Sequence, residues 1–275
     1  MKVSEIILFD MDGTLTEPRE EAGEDIMEAL YDLSKEAEVG IVTGSDIDYI
    51  QEQIKTFSYE FGDWGMVPDY QRDKPVITHI LPCNGTKYYR YNSMTLELEL
   101  KHSNSMEIKL GKKTFKTVLE KLFQLQLDVV NEFPDIPLTG KFFNYRDSMI
   151  NWCPIGRNAE ELQRNEFVTL DKKTGLRKKF LNNLQTWVKN GRLDVTVALG
   201  GQTSFDIYPD GWSKKYALQH FNDEVCFVGD KCDGDGNDAA IYNAVNEDKR
   251  FKVRCPEDTI ELIYDTLVPM LKNDC

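Results

Sequence analysis

The eleven residues Ile6 to Thr16 constrain the fold more than any other stretch. Four apolar residues, Ile6 to Phe9, run straight into Asp10, Met11, Asp12 and Gly13. The run is too short for a helix and reads as a buried strand, broken at once by Asp and Gly. In an open parallel sheet the ligand crevice lies beyond the carboxyl ends of the strands, where Asp10 and Asp12 fall. Two carboxylates two residues apart repel each other if both are buried and ionised without a counter-charge. A divalent cation, a shared proton, or a division into nucleophile and acid/base resolves the conflict. An Asp-Gly turn needs none of these on its own. The decision rests on partners further along the chain.

Those partners follow strand-like runs. Glu24 to Lys35 has apolar residues at helical spacing, and Glu38 to Val42 is a second buried run ending at Thr43-Gly44. Asp46 to Ile54 again has helical spacing. Strand, helix, strand, helix is the rhythm of a parallel α/β sheet, so the Thr43 loop should open on the same edge as Asp10. From Thr56 to Leu81 the pattern is poor and reads as an irregular loop with aromatic cover. Asn84-Gly85 is a turn signal. Thr86 to Tyr91 and Leu96 to Leu100 alternate as strands, and Thr114 to Leu127 is an amphipathic helix. Lys141 to Arg146 and Met149 to Cys153 read as a hairpin, followed by a polar helical stretch from Ala159 to about Asn190, interrupted near Thr174-Gly175. We expect this antiparallel middle block to be a separate inserted domain. Val195–Leu199, Ser204–Tyr208 and Glu224–Asp230 then read as strands that return to the core. A helix from Asp238 to Val245, a short strand Phe251–Val253 and a helix from Asp258 to Leu271 complete the chain.

A formal net charge of -14 over 275 residues argues against a nucleic-acid surface. No apolar run approaches bilayer length, and no basic leader precedes the first strand. The six cysteines show no C-x-x-C spacing, and with three histidines a zinc site is not expected. Cys226 and Cys255 read as small core hydrophobes. Free thiols point to a reducing cytoplasm.

Four signals fall near strand ends: Asp10/Asp12, Thr43-Gly44, Lys214 in Gly211-Trp-Ser-Lys-Lys215, and Gly229-Asp230 with Asn237-Asp238. Together they form a phosphoryl-transfer set. Asp10 is the candidate nucleophile, and Asp12 the general acid/base for a sugar oxygen. The Asp10 and Asp230 carboxylates with the Asp12 backbone carbonyl make an all-oxygen site that suits Mg²⁺, with Asn237 and Asp238 orienting its waters. Thr43 and Lys214 would hold the transferring phosphoryl oxygens. A calcium-loop reading of Asp233 to Asp238 fails on the spacing of its glycine and closing glutamate.

These four signals resemble the motifs of the haloacid dehalogenase superfamily of phosphotransferases. Leu8–Arg19, Pro154–Asn158, Gly200–Asp206, Gly211–Lys215 and Cys255–Ile260 are similar to the eukaryotic-type phosphomannomutase family within it. The resemblance is poor between Thr56 and Leu127. It implies an α/β fold: a Rossmann-like parallel-sheet core of the haloacid dehalogenase type, with an inserted α+β cap domain carrying an antiparallel sheet. We place the core at 1–84 and 194–275 and the cap at 85–193.

The implied reaction interconverts hexose 1-phosphate and hexose 6-phosphate, mannose phosphates first, as in GDP-mannose biosynthesis. It would use Mg²⁺ and a hexose 1,6-bisphosphate activator, in a cytoplasmic homodimer joined through the caps. The resemblance assigns substrate binding to Arg19, Arg146, Arg157, Arg164, Ser204 and Asp206. Arg is suited to a phosphate held away from the metal. If Asn158 caps a helix, Arg157 and Arg164, seven apart, rise on nearly one face. Ser204 and Asp206, alternating along a strand, should point to one side. A sugar-phosphate phosphatase on the same scaffold and a non-catalytic phosphosugar- or partner-binding homologue remain the alternatives.

Overall fold

The computed structural model describes residues 5–54, 75–92, 95, 97–222 and 224–273. Most of the stretch expected to be an irregular loop (55–74) lies outside these, as does Cys275. The chain divides into two compact units, Met1–Ser103 with Lys214–Cys275, and Asn104–Ser213.

The first unit is built on a seven-stranded sheet in the order β11-β10-β1-β2-β3-β4-β5. Its strands are β1 (Ile6–Phe9), β2 (Glu38–Val42), β3 (His79–Leu81), β4 (Lys87–Asn92), β5 (Glu97–Ser103), β10 (Val225–Gly229) and β11 (Arg250–Lys252). β11, β10, β1, β2 and β3 run parallel, and β4 and β5 add an antiparallel edge. Alternation along β1 divides its apolar side chains between the two faces. Ile7 and Phe9 pack with Leu30 and Leu33 of helix α1 (Glu24–Ser34) and with Ile263, Leu267 and Leu271 near the C-terminus. Ile6 and Leu8 pack on the other face with Phe227, Ala217 and Ile241. After α7 (Ala239–Tyr242), the C-terminal segment runs as α8 (Pro256–Leu262), a π-helical turn (Ile263–Leu267) and α9 (Val268–Asn273). Helix α2 (Ile47–Gln53) starts at Asp46, whose carboxylate accepts from the Ile47 N–H at 2.8 Å.

The second unit carries α3 (Met106–Leu110), α4 (Lys112–Glu132), β6 (Phe143–Tyr145), β7 (Ile150–Trp152), α5 (Glu161–Thr174), α6 (Leu176–Gly191), β8 (Val195–Leu199) and β9 (Phe205–Pro209). Its four-stranded sheet, β6-β7-β9-β8, is antiparallel throughout. Fully buried Trp152 stacks on Phe205 with ring centroids 4.7 Å apart. Its indole N–H donates to Gln126 of α4 at 2.7 Å, which satisfies the one polar atom of a large apolar side chain.

The α/β class with an inserted antiparallel unit matches the expectation, whereas the boundaries differ. β4 and β5 belong to the core sheet because β4 pairs with β3 and extends its edge. β8 and β9 leave the core. Only five residues, 200–204, join them, with Gly200 N–H bonded to the Ser204 carbonyl at 2.9 Å. So short a link permits an antiparallel pair, while parallel neighbours need a crossover of about a dozen residues. Helix α5 starts later than expected. Glu160, not Asn158, is its cap, closing a capping box with Gln163. Arg157 therefore precedes the helix, and only Arg164 rides on it. Cys226 is a buried core residue, but Cys255 is partly exposed at the start of α8. The cysteines among the described residues are free thiols.

Candidate active site

Parallel pairing lines up the carboxyl ends of three strands. Phe9 is in register with Val228 on one side and Ile41 on the other. Asp10, Asp230 and Thr43 therefore fall along one sheet edge. Asp10 extends the ladder by one bond, its N–H donating to the Val228 carbonyl at 2.9 Å. The loop after Asp12 approaches β10 so closely that a Cβ on Gly13, whose φ is +89°, would lie 2.5 Å from Asp230 Oδ2. Only glycine fits both the space and the backbone.

Lys214 begins the 3-10 segment Lys214–His220 and is almost fully buried. Its ammonium donates to both Asp10 Oδ1 and Asp238 Oδ1. Asp10, Asp230 and Asp238 offer carboxylate oxygens within 4.8 Å of one another. Burial is the largest influence on Asp10, and with the charge of Asp238 it pushes the carboxyl up to about 7 against the pull of Lys214. Burial alone would push the Lys214 ammonium down; Asp10 and Asp238 outweigh it and hold the group above its ordinary value. Burial also raises Asp230, opposed by its bond to Lys231.

Three carboxylates face the buried Lys214 ammonium and the half-exposed Lys231, which still leaves negative charge unbalanced, and Asp230 Oδ1 is buried without a hydrogen-bond partner. An all-oxygen donor set with an orphaned carboxylate oxygen suits a hard divalent cation such as Mg²⁺. Asp238, expected to act through water, contributes its carboxylate directly to this cluster. Asn237 is exposed beside it.

Asp12 is held apart from the cluster. Its Oδ1 accepts from the Arg19 backbone N–H at 3.1 Å and from Gln53 Nε2 at 3.2 Å. Arg19 sits in the left-handed region, φ +69°, where its N–H can reach that oxygen. Thr43 is buried, its hydroxyl accepting from the Ser45 N–H at 3.2 Å.

In the second unit, Asn151 joins three of the expected substrate residues. Its Nδ2 donates to Ser204 Oγ at 2.9 Å and to Asp206 Oδ1 at 2.7 Å, while its Oδ1 accepts from Arg157 Nη1 at 3.0 Å. Ser204 and Asp206 thus face one side, as the alternation requires. Arg146 is buried in the turn between β6 and β7. Arg164 lies in the first half of α5, its Nε buried with no hydrogen-bond partner. Sequence reasoning missed Asn151 and Gln53. Each left one signal: a polar residue in the apolar alternation Met149–Cys153, and a glutamine three residues past Ile50, on the inward spacing of α2.

An acidic cluster and a buried lysine at the carboxyl edge of a parallel sheet, with an inserted unit, define a haloacid dehalogenase-type phosphotransferase scaffold. Solved structures share the fold. An IMP-nucleotidase from Plasmodium falciparum superposes with a TM-score of 0.60 at 14% identity, covering 96% of this chain and 68% of that one. The C-terminal domain of a Candida albicans trehalose-6-phosphate phosphatase gives 0.58 at 14% identity, covering 97% and 93%. At the level of sequence, residues 26–269 match the eukaryotic phosphomannomutase family. Phosphomannomutases from Dendrobium officinale and Schizosaccharomyces pombe are each 34% identical, over 93% of this chain and 91% of theirs. The chain belongs to the eukaryotic phosphomannomutase family.

Proposed function

We propose that this chain interconverts hexose 1-phosphate and hexose 6-phosphate, with mannose phosphates as the first substrates to test. The observation that carries the reading is the buried Asp10–Lys214–Asp238 contact, with Asp12 held two residues on. The Asp10 carboxylate attacks phosphorus of a hexose 1,6-bisphosphate, and the P–O bond to the sugar breaks. Asp12 gives its proton to the departing sugar oxygen, leaving an aspartyl phosphate and a hexose monophosphate. The reverse step uses the other hydroxyl. Asp12 removes its proton, the oxygen takes the phosphoryl group, and the Asp10 carboxylate is restored. Lys214 and Thr43 hold charge on the phosphoryl oxygens. A Mg²⁺ ion bound by Asp10, Asp230 and Asp238, with the Asp12 carbonyl, would neutralise further charge there.

A mutase must also hold the phosphate that is not reacting. Arg146, Arg157 and Arg164 of the second unit suit that task, and Arg19 of the first unit is a separate substrate-binding candidate. Ser204 and Asp206 suit the sugar hydroxyls. Binding energy from that distal end helps position the reacting end.

Phosphorus NMR of the purified protein with mannose 1-phosphate, Mg²⁺ and trace hexose 1,6-bisphosphate tests the proposal. Mannose 6-phosphate is the expected product. Steady release of inorganic phosphate would instead make the chain a phosphatase, and no turnover would make it a binding protein.

We further infer a homodimer through the second unit, where Ile108, Phe123, Leu127 and Tyr145 leave 46–85% of their surface exposed. A monomer in light scattering at micromolar concentration would refute it. Among the described residues no helix is long and apolar enough to cross a membrane. Free cysteines support a reducing, cytoplasmic setting for the reaction.

A further inference from the structure

The loop 200–204 brings Ser204 to Asn151, beside the Asp206 that strand register already sets there. Its far end is held by the Gly200 N–H bond to the Ser204 carbonyl and by Cys153 against Thr203, yet its Gly200–Gly201 start has little in its own sequence to fix it. Two successive glycines give the backbone more freedom than any other pair. Glycine is nevertheless required first: a Cβ on Gly200 would lie 2.7 Å from Ser204 Oγ and 3.0 Å from Asp206 Oδ2. The close approach that lets these side chains converge thus leaves the loop entropically weak, and something outside it must hold it.

Arg177 is placed to do so. Helix α5 ends at Gly175, whose φ of +68° lets α6 begin at once, and Arg177 is the second residue of α6. Its backbone N–H is one of the unsatisfied donors of a helix start. Asp171, in the last turn of α5, accepts that N–H at 2.7 Å and Arg177 Nε at 2.8 Å. This double contact fixes the plane of the guanidinium. Its Nη1 then reaches the carbonyls of Gly201 at 2.9 Å and Gly200 at 3.4 Å. Both side chains are largely buried, 16% exposed for Arg177 and 14% for Asp171, which limits competition from water. Asn151 and Cys153 hold the loop at Thr203 and Ser204, and Arg177 holds the backbone at its start.

We propose that Arg177 is a positioning residue for sugar binding, acting through the Gly200–Gly201 backbone on Ser204. The inference rests on the reading of Ser204 as a sugar contact. Lysine cannot replace Arg177. A single ammonium cannot serve Asp171 and the loop carbonyls with the fixed fork of a guanidinium. Freed from the fork, Gly200 and Gly201 rotate and Ser204 leaves its place beside Asn151. The sugar is bound in both ground and transition states, so the loss falls mainly on KM.

The test measures mannose 1-phosphate turnover, with Mg²⁺ and trace hexose 1,6-bisphosphate, for wild type, R177K, S204A and R177K/S204A. R177K should raise KM about tenfold, the effect of one lost charge-assisted hydrogen bond, while kcat changes less than about threefold. In the double variant R177K should add less than about twofold to S204A, because its target is already gone. Unchanged KM in R177K, or effects that multiply in the double variant, would overturn the proposal. Unchanged KM in S204A alone would reject the sugar-contact reading, and this proposal with it. If R177K does not fold, D171N probes the same link from the other end, with the same expectation on KM and the same refutation.

Discussion

Lys214→Met is the most informative single change, because one ammonium is the counter-charge for two buried carboxylates. Asp10, Asp238 and Lys214 are each no more than 2% exposed, so water screens none of them. Removing one partner from a buried ion pair costs about 3–5 kcal/mol, since the group left behind is charged and unpaired. Here two groups are left behind, which argues for the upper end. Against that, burial and Asp238 already push Asp10 up to about 7, so at neutral pH it can take a proton and shed part of the penalty. We therefore expect a loss of about 3 kcal/mol. With a urea slope of about 3 kcal/mol/M, the unfolding midpoint followed by circular dichroism should fall by about 1 M. Adding Asp238→Asn to the lysine variant removes one stranded charge and should recover part of the loss. A midpoint within about 0.2 M of wild type would show that Lys214 does not balance this cluster. The assignment of its neighbours would then lose its electrostatic basis.

Metal-free protein should become less stable as pH rises from about 4 to about 7 through Asp10. Its folded carboxyl is raised from 3.8 to about 7, so between those values the folded state holds a proton that the unfolded chain has released. The difference in melting temperature between wild type and Asp10→Asn, measured in EDTA, isolates this contribution from the other carboxyls; Mg²⁺ should flatten it for wild type. A difference that does not change with pH would refute the burial argument. The same nearly isosteric Asp10→Asn change should abolish turnover and leave the circular dichroism spectrum unaltered. Asn151→Asp puts a carboxylate where Nδ2 now donates to Asp206 and Ser204. It should raise KM at least about tenfold, since like charges replace a hydrogen bond worth about 1–2 kcal/mol; an unchanged KM would remove Asn151 from the binding site.

The grouping of the acidic cluster was legible in the sequence because parallel strands end in register. Once Ile6–Phe9, Glu38–Val42 and Val225–Gly229 are read as buried parallel strands, Asp10, Thr43 and Asp230 must share an edge. Lys214 was legible only as part of that set, since nothing local marks a lysine as buried. The closeness of Asp238 to the other carboxylates was hidden for a related reason. Spacing placed it near the site, but its distance from the other carboxylates depends on how the loop from Lys231 folds, where its Oδ2 accepts the Lys231 backbone N–H at 3.1 Å. The domain boundaries differ from the expected ones because antiparallel alternation does not by itself mark a separate domain. β4 and β5 alternate because they lie at the edge of the core sheet, and an antiparallel edge on a parallel sheet is common. β3 escaped notice because His79 interrupts its apolar run. That side chain is buried against the Tyr88 hydroxyl at 2.9 Å and Glu38 at 2.6 Å, partners distant in sequence.

The polar hub around Asn151 was illegible for a deeper reason: it exists only once strand register is fixed. Asn151 and Asp206 are direct partners across the β7–β9 ladder, so their Cβ atoms lie about 5 Å apart on one face. A slip of one residue in that ladder would turn Asp206 to the opposite face and leave Asn151 beside Phe205 or Ile207. Register in turn is pinned by Trp152, which pairs with Phe205 in the ladder and stacks on it, and which Gln126 fixes from α4. The apolar pair next to the hub thus decides which polar groups meet. The sequence around Asn151 shows an isolated polar residue between Ile150 and Trp152. Its meaning lies in a strand more than fifty residues away.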